Sequence, residues 1–345
     1  MSLHNEIMEQ ADVLENLVNH QWAAVQRIAD TVRNQDIDYI FLAARGTSDN
    51  AGRYAQYLWG IFNHLPIALA APSLFSLYQS PPRLKNALVV GISQSGMSPD
   101  IVSVLTEASR QGCPSIAILN TPDSPLGQAA SHIIDINAGQ EIAVAATKTY
   151  TAELMAIAML SAALSKDDEA YQILKKVPGW VRILLEQDAT LGRIAERYRF
   201  MDQCVVLGRG FNYATAFEWS LKMKELCYIA AEPYSSADFL HGPVAVISQG
   251  YPVMAVIPDG KVADDMLGLL RTLRYERHAE LLVFSNRAEA LELAQSRLAL
   301  PADMPEWVSP IVSIVPAQLF SYHLTRAKGF DTEGPRGLHK VTKTN

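Results

Sequence analysis

The stretch Leu88-Val-Val-Gly-Ile-Ser-Gln-Ser-Gly-Met-Ser98 constrains the fold more than any other. Leu88 to Ile92 is a short apolar run bounded by polar residues, which predicts a buried strand. Ser93-Gln-Ser-Gly96 makes a hydroxyl-rich turn, and Pro99-Asp100 suits the first turn of a helix. A helix beginning there has backbone N–H groups with no partner in the helix, and its dipole adds partial positive charge. Ser93, Ser95 and Ser98 add hydroxyl donors, and the guest that fits is a phosphate. A serine-rich turn that only caps its helix has the same sequence. No Gly-Lys-Ser/Thr follows, so a nucleoside triphosphate loop is not indicated.

A chain of 345 residues exceeds one ordinary core, so two domains are expected. Its composition, 49% hydrophobic and 19% charged, is that of a soluble globular protein, and a net charge of −7 argues against nucleic acid as a partner. Cys113, Cys204 and Cys227 have no metal-ligand spacing and fit a reduced cytoplasm as small apolar side chains. The apolar segment Leu154 to Leu164 is too short to span a bilayer, so no membrane association is expected. Met1-Ser2-Leu3-His4 carries no basic leader pattern.

Strand-like and helix-like stretches alternate. A helical region over 1–35 precedes the strand Tyr39-Ile-Phe-Leu-Ala43 and a second polar turn, Arg45-Gly-Thr-Ser48. Strands are then expected at 66–71, 88–92, 115–119 and 132–136, with helices over 49–62, 100–111 and 145–164. This order predicts a parallel sheet covered on both faces, with ligands outside the carboxyl ends of the strands. Both polar turns fall at such ends. The pattern restarts after a charged helical connection at 166–200: Cys204-Val-Val-Leu-Gly-Arg-Gly210 mirrors Ile40-Phe-Leu-Ala-Ala-Arg-Gly46. Val253 to Gly260 mirrors the opening stretch, Leu281 to Ser285 mirrors Ser115 to Leu119, and Ile311 to Val315 with its following helix mirrors the region from His132. The chain therefore reads as an α/β protein with two copies of one unit, at 36–165 and 201–330, and a tail at 331–345. In the second copy Asp259 stands where the first has Ser-Gln-Ser, so the first copy is expected to bind a phosphate and the second to support it.

The second copy carries the reactive side chains. Glu218, Lys222 and Glu225 share one face of a helix over 213–228. That spacing also describes a solvated salt-bridge ladder, but the surrounding apolar residues predict burial, where a Glu beside a Lys could exchange protons near neutral pH. His241-Gly-Pro243 follows the polar loop Tyr234–Asp238. The histidine suits either acid–base work or a bond to a backbone carbonyl. In the tail, Leu338 and Val341 flank Lys340 and suggest docking, and a docked amine could attack a carbonyl.

Six blocks in order, Gly46-Thr-Ser48, Ser93-Gln-Ser-Gly96, Glu141 to Lys148, Leu221-Lys-Met-Lys-Glu225, His241-Gly-Pro243 and the Pro335-Arg…Lys340 tail, resemble the sugar isomerase (SIS) family over nearly the whole chain. They are similar to the isomerase half of glutamine:fructose-6-phosphate aminotransferases, and more so to stand-alone two-SIS glucosamine-6-phosphate deaminases. The resemblance implies two tandem three-layer α/β/α SIS domains. It gives Thr47, Ser48, Ser93, Gln94, Ser95 and Ser98 to the sugar phosphate and its hydroxyls, and Val144 to the lining of the sugar site. Glu225 matches the base that moves a proton between C1 and C2, with Lys222 beside it. His241 matches the ring-opening residue, contributed by the neighbouring subunit of a homodimer. Lys340 matches the lysine that forms a Schiff base with the ketose. No metal or organic cofactor is implied. Two positions depart from the family pattern: Arg45 replaces a cysteine before Gly46-Thr47-Ser48 and adds positive charge there, and Ala146 replaces a serine that contacts the sugar. Met1-Ser2 leads straight into the isomerase region, so glutamine-dependent synthesis is not expected.

The expected reaction is therefore conversion of glucosamine 6-phosphate and water to fructose 6-phosphate and ammonia. The enzyme alternative is a deglycase of 6-phosphorylated fructose–amino acid conjugates, for which Ala146 leaves more room. The non-enzyme alternative is a phosphosugar sensor, which would leave Glu225, His241 and Lys340 without a task.

Overall fold

The computed structural model describes residues 2–340. The chain divides into two units, Glu9–Pro178 with the segment from His339, and the N-terminal residues to Met8 with Gly179–Leu338. The division falls at Pro178-Gly179, within the expected connection. Residues 341–345, including Val341 and the end of the expected tail, lie outside the described residues.

In the first unit the strands are β1 (Tyr39–Ala43), β2 (Ile67–Leu69), β3 (Ala87–Ser93), β4 (Ser115–Leu119) and β5 (His132–Asp135). All neighbours are parallel, in the order β2-β1-β3-β4-β5. The order reverses between β1 and β3, with Ile40 opposite Leu88 and Ala43 opposite Gly91. Open parallel sheets bind ligands at such a reversal, and the turns after β1 and β3 flank it. Strand β3 is buried along its whole length. One sheet face, with Phe41, Val89, Ala117 and Leu119, packs on Ile101, Val104, Leu105 and Ala108 of helix Pro99–Arg110. On the other side helix Thr47–Phe62 and helix Gln10–Arg33 pack against helix Lys148–Ser165. That last helix is apolar nearly all round and buried from Lys148 to Ala163, as a central helix must be. Its one buried cation, Lys148, is neutralised by Glu9 at 2.6 Å.

In the second unit the strands are β6 (Gln203–Leu207), β7 (Ala230–Tyr234), β8 (Pro252–Ile257), β9 (Glu280–Ser285) and β10 (Ser296–Ala299). Their order, β10-β9-β8-β6-β7, is that of the first sheet read from the other edge, and all neighbours are again parallel. The internal repeat is therefore one of topology as well as sequence. Two expectations change. Ile311–Val315, matched by sequence to the β5 region, lies inside helix Ser309–Ala327, whose start Pro310 marks. The fifth strand is β10, whose alternating Ser-Arg-Leu-Ala pattern is an edge strand with little apolar signal. Tyr234–Asp238, read as a loop, ends β7 and opens the short helix Ser236–Leu240.

A buried polar knot joins helix Tyr213–Cys227 to helix Ser309–Ala327. The Asn212 amide donates to Ser309 Oγ at 2.7 Å, and its carbonyl accepts from Thr215 at 2.9 Å and Ser313 at 2.8 Å. Asn212→Ala strands these hydroxyls out of reach of water and is expected to destabilise by on the order of 3 kcal/mol. A loss under about 0.5 kcal/mol in urea unfolding would refute this account of the contact.

Candidate active site

In the first unit a pocket of about 390 Å³ opens at the carboxyl ends of β3, β4 and β5. Gln94 and Ser95 line it from the turn after β3, Asn120 and Thr121 from the turn after β4, and Asn137 from the loop after β5; Glu141 and Lys340 complete it. The turn holds its hydroxyls in place through the backbone. Ser93 Oγ accepts the Gly96 N–H at 3.1 Å and Ser95 Oγ accepts the Met97 N–H at 3.3 Å. Each hydroxyl therefore still has its proton to donate outward. Gly96 sits at φ 64°, and a Cβ there would lie 2.0 Å from Ser124 Oγ, so only glycine fits. Ser98 stands at the helix start without using its side chain as a cap.

The loop 141–147 is folded around one carboxylate. Glu141 is buried; its Oε1 accepts the Thr147 N–H at 2.9 Å, and its Oε2 accepts from Thr149 Oγ1 at 2.8 Å and from Lys340 Nζ at 2.9 Å. Lys340 Nζ also donates to the Ala143 carbonyl at 2.6 Å. The tail lysine is thus docked by an ion pair and a carbonyl. Val144 and Ala146 are half-buried in the same loop.

The turn after β1 is arranged differently from the expectation. Ser48 is turned inward and donates to Glu153 Oε1 at 2.8 Å. Gly46 takes φ 55° at the start of helix Thr47–Phe62, and Thr47 is its first residue. Arg45 gives Nε to the fully buried Asp100 at 2.7 Å. The second unit repeats this pair, with Arg209 Nη1 on Asp265 at 2.6 Å and on Ser236 Oγ at 3.0 Å. Asp100 and Asp265 occupy equivalent first turns after β3 and β8. Arg45 is therefore first a strut of the repeat.

The turn after β8 is already filled. Lys261 N–H donates to Glu306 Oε2 at 2.8 Å, and that carboxylate lies where a Cβ on Gly260 would stand. Asp259 pairs with Arg287 Nη1 at 3.0 Å. The second copy fills the turn before its helix with its own carboxylate.

On helix Tyr213–Cys227, Lys222 lies between Glu225 Oε2 at 2.6 Å and Glu218 Oε1 at 3.3 Å. Lys222 and Glu218 are buried, while 23% of the Glu225 side chain is exposed. Burial by itself would lower the Lys222 ammonium, but the two carboxylates outweigh it and push it well above the usual lysine range. Lys222 is therefore held as a cation between the two carboxylates, beside Glu225. His241 ends helix Ser236–Leu240 with its ring exposed at the surface of its unit. Asn120, Thr121, Asn137 and the anchoring role of Glu141 were not read from the sequence. The signal for the first three was their place just past β4 and β5, where ligands of parallel sheets sit.

The three thiols offer no nucleophile. Cys113, Cys204 and Cys227 are all buried, and burial pushes each above its ordinary value, Cys227 to about 12. No helix among the described residues is long and apolar enough to cross a membrane.

The sequence model of the SIS domain matches residues 35–163 and 201–327. A glutamine–fructose-6-phosphate aminotransferase (isomerizing) of Gloeobacter violaceus is 33% identical over 341 residues, which cover 95% of this chain and 56% of that protein. One from Thermococcus kodakarensis is 32% identical, over 97% of this chain and 56% of that protein. The chain thus spans a little over half the length of these relatives. Among solved structures, the C-terminal domain of glucosamine-fructose-6-phosphate aminotransferase from Francisella tularensis superposes with a TM-score of 0.88 at 30% identity, covering 96% of this chain and 98% of that one. Glucosamine-6-phosphate deaminase from Thermotoga maritima shares the fold, with a TM-score of 0.79 at 18% identity.

Lys222→Met removes the cation between two carboxylates and is expected to destabilise by roughly 3–5 kcal/mol. Glu225→Gln, which leaves Lys222 paired with Glu218, should retain most of the stability. Equal unfolding midpoints for wild type and Lys222→Met at neutral pH would show that the charge is not held as described.

Proposed function

The chain belongs to the SIS domain family, and from that premise we propose that it deaminates and isomerises an amino sugar phosphate: glucosamine 6-phosphate and water give fructose 6-phosphate and ammonia. The observation that carries this reading is that Lys340 Nζ lines the same pocket as the phosphate-type turn at Gln94 and Ser95. A substrate whose phosphate lies on hydroxyl and backbone donors at one end can present a carbon to an amine at the other. Anchoring by the remote phosphate supplies positioning for the bond changes.

In this reading His241, supplied by the neighbouring subunit of a homodimer, assists opening of the sugar ring. Glu225 takes the C2 proton and returns it to C1, which converts the C2 amine to a ketimine, and Lys222 holds the carboxylate in place. Lys340 attacks C2 and expels ammonia, and water then releases the ketose and regenerates the lysine. Lys340 must lose a proton before it attacks, and Glu141 at 2.9 Å is placed to take it. The buried thiols support ammonia loss over any use of these cysteines to liberate ammonia from glutamine.

The test is ammonia and fructose 6-phosphate released in equal amounts from glucosamine 6-phosphate by the purified chain. Glu225→Gln should reduce kcat by at least roughly 100-fold, the lower end of what general base catalysis contributes. Lys340→Arg keeps the cation but not the nucleophile, and should cut kcat while leaving KM close to wild type. Amino acid release from a 6-phosphorylated fructose–amino acid conjugate, with no turnover of glucosamine 6-phosphate, would instead establish the deglycase.

A further inference from the structure

Within the second unit two histidines and an aspartate converge. His4 Nε2 lies 3.1 Å from Asp188 Oδ2, and His323 Nε2 lies 2.7 Å from Asp188 Oδ1. The three ligand-type atoms all fall within 4.8 Å of one another. They come from three separate elements: helix Leu3–Met8, the first turn of helix Asp188–Arg197, and the last turns of helix Ser309–Ala327.

The rings are held rather than free to swing. His4 lies on Tyr322 with centroids 4.9 Å apart. The His323 ring passes 3.4 Å from where a Cβ on Gly192 would stand, one turn beyond Asp188. Helix Leu3–Met8 is itself fastened, because the Leu3 N–H donates to Glu333 at 3.1 Å. The side chains of His4, Asp188 and His323 are 27%, 30% and 16% exposed, so an ion and a water ligand have a way in.

We propose that His4, Asp188 and His323 form a binding site for a divalent transition metal of the zinc class. Two imidazole nitrogens and one carboxylate oxygen are the donor set such ions take, with a fourth position left to water. Ligands about 2.0–2.1 Å from a tetrahedral ion stand roughly 3.3 Å apart, so the atoms already approach the spacing required. Binding needs no large movement: each Nε2 exchanges its hydrogen bond to Asp188 for the ion, with the ring proton on Nδ1. An ion there would tie the N-terminal helix to two helices distant in sequence, and so stabilise this unit by binding only its folded form.

The experiment is a titration of the untagged, EDTA-stripped full chain with Co²⁺, read by visible absorption, followed by displacement with Zn²⁺ and a thermal melt with each ion. One Co²⁺ per chain with the intense bands of a tetrahedral site, bleached by Zn²⁺, is expected, together with a raised melting midpoint. His4→Gln and His323→Gln should each weaken binding by at least roughly 10-fold, the scale on which even an outer-shell partner acts. His20→Gln, a surface histidine of the other unit, should leave it unchanged. If His323→Gln fails to fold, His4→Gln decides alone, since His4 is the more exposed of the two rings. Absence of a saturable band, or wild-type affinity in the folded ligand variants, overturns the site.

Discussion

A helix that starts directly after a buried parallel strand points several unpaired N–H groups at whatever lies beyond it. Something must satisfy them, and this constraint explains how the two halves of the chain differ. After β8 the need is met internally, by the Glu306 carboxylate on the Lys261 N–H. After β3 serine hydroxyls accept N–H groups of the turn itself, at Gly96 and Met97, and still have protons to give. The same topology thus yields one turn closed by a carboxylate of the chain and one lined by hydroxyls. The difference lies in a few residues rather than in the fold.

The buried charges follow a second rule, that a cation in a dry interior must bring its own anions. Lys222 with Glu218 and Glu225, Lys148 with Glu9, and Lys340 with Glu141 all obey it. Such pairs give little net stability over an apolar core, yet removing one partner is expensive. They fix geometry instead. Glu225 is held by the Lys222 cation, and Lys340 is held by a carboxylate that also closes the loop 141–149.

Much of this was legible in the sequence. Strands β1 and β4 fall on the residues where apolar runs placed them, because buried parallel strands are short and almost wholly apolar. The edge strands were harder: β7 contains Pro233, and β10 has one large apolar residue, so neither carries the signal of a central strand. Ile311–Val315 misled for the opposite reason, since a fully buried helix and a buried strand share an apolar composition over five residues. The site divides likewise. Ser93, Gln94 and Ser95 declared themselves by sitting between a strand and a helix, whereas Asn120 and Asn137 are ordinary polar residues until the strand order is known. The fate of the Lys222 proton could not be read from spacing, because it depends on two carboxylates outweighing the penalty of burial.

Arg45 shows how the internal repeat corrects a local reading. Taken alone, an arginine before a glycine-threonine-serine turn suggests a contact with phosphate. Its counterpart Arg209 follows β6, in the copy whose β8 turn is filled by the chain's own carboxylate, yet makes the same ion pair, to the first-turn aspartate of the helix after β8. A contact present in both copies follows from what they share, which is the fold. A contact present in one follows from what distinguishes them. By that criterion Arg45 belongs to the framework. The hydroxyls of Ser93 and Ser95, and the docking of Lys340 on Glu141, have no equivalent in the second copy among the described residues, and they mark where the two copies diverge.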